Sequence, residues 1–97
     1  MNEKLAYAVG PQLPPVRDIT LGDLLREAAE TVPERIALIS GASNPAQRRS
    51  WTYRELYEES HQASQVLAQK FQAGQRVAVF APNSPEWVML EFACAMA

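Results

Sequence analysis

From Trp87 to Ala97 the chain is apolar at every position except Glu91, and no other feature restricts its possible folds as tightly. Ser84 and Pro85 open this stretch as a helix. The serine hydroxyl can accept from a free N–H of the first turn, and proline suits the first helical position, where an N–H has no partner to lose. Glu86 then sits at the positive end of the helix dipole. A surface helix needs cover along one stripe, whereas a helix this apolar needs it on most sides. No Gly, Asn, Lys or Arg closes the helix, so its last carbonyls have no evident partner. A chain of 97 residues makes one small domain at most, and such a domain buries only about two-thirds of its unfolded surface. The expectation is an incomplete piece of a larger α/β protein.

The preceding segment points the same way. Val77 to Ala81 reads Val-Ala-Val-Phe-Ala, apolar throughout instead of alternating. That pattern predicts a strand covered on both faces, as in a parallel sheet flanked by helices. A strand and its crossover helix should then lead to a neighbouring parallel strand, and these residues hold none.

Upstream, residues 1–19 read as an irregular arm, because Pro11, Pro14 and Pro15 exclude a regular helix. A helix begins at Thr20, its cap, with Asp23 placed to reach back as an acidic variant of the capping box. Leu21, Leu24, Leu25, Ala28, Ala29 and Val32 form its apolar stripe, and Pro33 ends it. Ile36 to Ser40 is a short strand, residues 41–48 a polar loop, and Arg49 to Trp51 a second strand completing a hairpin. The next helix has Thr52 as cap and Glu55 completing a capping box, with Trp51 set to staple onto Leu56. Its stripe runs through Tyr53, Leu56, Tyr57, Ala63, Leu67 and Phe71, with Ser60 and Ser64 as small members, and Gly74 is a left-handed stop. The predicted class is α/β, in the order α-β-β-α-β-α with a partly parallel sheet. Residues 20–97 form a truncated portion of one domain behind the 1–19 arm.

Composition excludes several classes. The 47% hydrophobic and 21% charged content is that of a globular chain. Net charge is -2 and Arg48-Arg49 is the one basic pair, which argues against a nucleic-acid partner. One cysteine and one histidine supply neither a disulfide framework nor a structural zinc site. No apolar run nears the roughly 20 residues of a membrane span, and no secretory signal follows Met1, so the expected location is the cytoplasm.

In order, Thr20-Leu21-Gly22-Asp23-Leu24-Leu25, Pro33-Glu34-Arg35-Ile36-Ala37-Leu38, Trp51-Thr52-Tyr53-Arg54-Glu55-Leu56, Gly74-Gln75-Arg76-Val77-Ala78-Val79 and Ala81-Pro82-Asn83-Ser84-Pro85-Glu86-Trp87-Val88 resemble the N-terminal region of the AMP-forming acyl-CoA synthetases. Those belong to the adenylate-forming superfamily, with luciferases and peptide-synthetase adenylation domains. Each stretch alone is a weak signal, and the ordered set is a specific one. Trp51 and the Glu86-Trp87 pair tilt the resemblance towards fatty acyl-CoA synthetases over peptide-synthetase adenylation domains, with an aryl-CoA ligase as a further alternative. For a full-length relative it implies two steps: ATP and a carboxylate give acyl-adenylate and pyrophosphate, then coenzyme A displaces AMP. Magnesium and a cation near the α-phosphate would stabilise the developing charge. The family's Ser/Thr/Gly-rich phosphate loop, its later Asp and Arg nucleotide contacts and its C-terminal catalytic lysine do not occur in these residues. The resemblance therefore assigns no catalytic, cofactor-binding or metal residue here. ATP, Mg and CoA belong to the full-length family, with none expected on the fragment.

Several side chains invite a functional reading and have plainer ones. His61 could be a general base, but no partner acid is indicated. Cys94 could be a nucleophile, yet in an apolar helix it reads as a small buried hydrophobe. Ser84 is better explained as a cap, Trp51 as a staple and Trp87 as a packing anchor than as a nucleophile and two stacking platforms. Glu58, Glu59 and Glu86 read as solvated carboxylates. Gly41-Ala42-Ser43-Asn44 has one glycine and no lysine, a poor phosphate cradle. The apolar C-terminal helix is either core for missing parts or a surface for self-association. Three functions follow as expectations: an inactive piece of an acyl-CoA synthetase, a small binding or self-association module on the same scaffold, and an unrelated α/β domain.

Overall fold

The computed structural model describes residues 6–97. The arm expected over 1–19 is irregular and exposed where described, and its first five residues lie outside that range. Arg17 fastens the base of the arm to the first helix, α1 (Leu21–Thr31), through a two-pronged ion pair with Glu27 at 2.9 and 2.6 Å. Thr20 caps α1 by accepting from the Asp23 N–H at 3.0 Å. The Asp23 carboxylate does not complete a box but lies 3.0 Å from Arg26. The helix stops before Pro33 as its sequence requires: proline cannot continue the ladder, and Val32 closes the last turn on Ala28 at 2.8 Å.

The hairpin is present as β1 (Ile36–Ile39) and β2 (Ser50–Thr52), antiparallel, with Leu38 opposite Trp51 and an irregularity between Ile36 and Leu38. β2 sits one residue later than its predicted start at Arg49, whose N–H is taken by the Ser40 hydroxyl at 2.7 Å. The intervening loop contains one short 3₁₀ turn, Pro45–Gln47, capped by Asn44.

β2 passes directly into α2 (Tyr53–Lys70). The reciprocal capping box forms: Thr52 Oγ1 accepts from Glu55 N–H, and Glu55 Oε1 accepts from Thr52 N–H, both at 3.1 Å. The next two N–H groups, of Tyr53 and Arg54, donate to the carbonyls of Arg35 and Pro33. The orphan donors of α2 are thus met by its own cap and by the segment entering β1. Gly74 is not the residue that ends α2. Phe71 does so, donating to Leu67, and Gly74 occupies the third position of a separate turn closed by Gln75 N–H on Gln72 O. Its φ of 88° is the left-handed value that a type II turn needs there.

The third helix, α3 (Pro85–Met96), starts as predicted, with Ser84 Oγ accepting from Trp87 N–H at 3.3 Å and Pro85 in the first turn. It packs along α2 and across α1. Buried small side chains, Ser60 and Ser64 on α2 and Ala93 on α3, suit a close approach. Gly22 on α1 is a second point of close approach, since a Cβ there would meet Met96 Cγ at 3.0 Å. The core is Leu25, Trp51 and Leu56, with Ala37, Leu38, Tyr53, Tyr57, Met89, Phe92 and Met96 packed around it. The Trp51–Leu56 staple is therefore central to the fold.

One element differs from expectation. Val77–Ala81 belongs to no strand, so the order is α-β-β-α-α, and the one sheet among the described residues is antiparallel. Pairing explains this. β1 and β2 satisfy each other, and no further strand reaches the segment to form a parallel ladder. It lies instead against α3, with Val77 and Val79 half-buried beside Trp87 and Leu90, while Phe80 is fully exposed. The two-sided cover implied by its apolar sequence is not there.

Candidate functional site

Of the residues with chemical potential, His61 has the richest surroundings. It stands on α2 one turn after Tyr57, and the two rings stack with centroids 5.8 Å apart. Both line an open cleft of about 400 Å3, shared with Thr20, Asp23 and Arg26 of the α1 start and Met96 of α3. The cleft does bring an acid towards His61, which sequence spacing could not show. That acid is already engaged, because Asp23 pairs with Arg26. No hydrogen bond to the His61 ring is found among the described residues. A histidine without an orienting partner and a guanidinium matched by its own carboxylate make no acid–base pair and no unbalanced anion site.

Cys94 corrects an expectation. It is exposed, not buried. Ala93 takes the inward position of α3, and one residue on, a helix has turned by about 100°, carrying Cys94 away from α2's small-residue face. It borders a cavity of about 140 Å3 with Leu67, Phe71 and Val77. Among the described residues its lining holds no basic side chain beside it.

Ser84 is a cap, as read from sequence, with its oxygen turned to Trp87 N–H. Trp51 is 8% exposed and held in the core, so it offers no free face for a ligand ring. Trp87 is half-buried beside Val79. Glu58 and Glu59 are exposed. The loop over residues 41–48 uses its polar groups internally: Arg48 Nε donates to Ala42 O at 2.8 Å and Asn44 accepts from Ala46 N–H. Among the described residues no cluster of three or more His, Cys, Asp or Glu could hold a metal ion.

Glu86 has a role beyond solvation. Its carboxylate pairs with Arg49 at 2.9 Å, and the Arg49 guanidinium lies 4.9 Å above the Trp51 ring. The Arg49 hydrogen bond, helped by Glu86's own N–H at the helix start, holds this carboxyl below its ordinary pKa. One guanidinium thus ties the hairpin to the start of α3. Sequence reasoning passed over this latch because Arg49 and Glu86 are 37 residues apart and no local pattern links them.

The architecture is therefore a scaffold of capped helices and a hairpin, with polar side chains dispersed over its surface. The family of AMP-binding enzymes matches residues 25–97. The chain belongs to that family. It is 38% identical over 96 residues to acyl-CoA ligase SID4 of Ajellomyces capsulatus, covering 97% of this chain and 16% of that protein. It is 38% identical over 71 residues to 2-succinylbenzoate–CoA ligase of Bacillus pumilus, covering 72% of this chain and 13% of that one. Over 49 residues it is 47% identical to the human mitochondrial acyl-coenzyme A synthetase ACSM2A, covering 48% and 8% respectively. The chain thus spans about a sixth or less of the length of these relatives. No solved structure matches it with comparable significance. No helix among the described residues is long and apolar enough to cross a membrane.

Proposed function

We propose that these residues are the N-terminal scaffold of an ATP-dependent fatty acyl-CoA synthetase and carry out no chemistry alone. The observation that carries this reading is the pairing of a family match over residues 25–97 with coverage of only 16% of the SID4 ligase. The dispersal of His61, Cys94 and Ser84 over separate surfaces supports it. In the whole enzyme the carboxylate oxygen of the acid attacks the α-phosphorus of ATP, and pyrophosphate leaves. The CoA thiol then attacks the acyl carbon, and AMP leaves. The work of residues 20–97 in that enzyme is structural. They set α1, α2 and α3 around the Leu25–Trp51–Leu56 core and present Val77–Ala81 as a strand to the remainder of the sheet.

Fatty acids are the proposed substrate class, supported by Trp51 and the Glu86-Trp87 pair and by the acyl names of two of the relatives. The reading frame past codon 97 tests the scaffold reading. A continuation into a Ser/Thr/Gly-rich phosphate loop is expected, and an immediate stop codon would contradict it. Assaying the enzyme so encoded against fatty and aryl acids tests the substrate class. Turnover of aryl acids alone would overturn the fatty acyl assignment and leave the scaffold reading standing.

A further inference from the structure

We draw no further inference here: the strongest candidate, the apolar face left open by Val79, Phe80 and Trp87 between the 77–81 segment and α3, is already part of the proposed scaffold, and nothing in the structure shows any other occupant that covers it.

Discussion

Ser60 is fully buried on α2, and its hydroxyl has no hydrogen-bond partner among the described residues. A buried hydroxyl left unpaired costs about 1–3 kcal/mol, so Ser60→Ala should raise the urea midpoint of the chain, by a stability gain of about 1 kcal/mol. A lower midpoint would show that the hydroxyl is satisfied after all. Trp51 and Trp87 looked alike in the sequence and differ in the structure. Trp51→Ala should cost about 3–5 kcal/mol, the range for emptying a buried aromatic site, and Trp87→Ala clearly less because its ring is only half-buried. Chemical denaturation of the two variants checks the order. The caps were legible because they are local: Thr20, Thr52 and Ser84 each act within three residues. The Arg49–Glu86 latch was not, since only the fold brings its partners together. Cys94 was misjudged for a related reason. An almost wholly apolar helix gives no sequence cue to which of its sides faces inward.

At the scale of elements, α2 is the most firmly specified. Its capping box also makes it sensitive to acid. The Thr52 N–H first, and then its hydroxyl, lower the Glu55 pKa, and Arg17 and Arg49 lower those of Glu27 and Glu86. A carboxyl whose pKa is lower in the folded state binds fewer protons than in the unfolded one. Its contribution is therefore complete above the ordinary carboxylate pKa of about 4 and is lost as pH falls through the lowered folded value. The three groups are exposed, so each effect is small. Glu55→Gln should flatten the acid limb of a helicity-against-pH curve followed by circular dichroism. An unchanged limb would remove the box from the account. The hairpin and all three helices could be read from turn residues and periodicity, to within a residue or two. The strand expected at Val77–Ala81 is absent, because a strand is a relation between two segments. Apolar composition supplies the tendency, and only a partner supplies the ladder. Hydrogen exchange should find the amides of Val77 to Ala81 fast in the isolated chain and protected in the longer enzyme. Equal exchange in both would refute the proposed strand role.

The whole molecule joins a small core to an open apolar face. Leu25, Trp51 and Leu56 hold one side together, while Phe80 and the outer side chains Leu21 and Leu24 remain exposed. Apolar surface of this kind draws chains together, so the isolated chain should sediment as associated species, and Phe80→Ser should shift it towards monomer. No shift would place the association elsewhere. Along α3, Trp87, Val88, Met89, Leu90, Phe92 and Met96 are half-buried. On the proposed reading, these residues position chemistry performed by other parts of an AMP-binding enzyme. Acid-dependent exchange of labelled pyrophosphate into ATP by the purified 97-residue chain tests it most directly. No exchange above the protein-free rate with any fatty acid is expected, and clear exchange with even one acid would contradict the account.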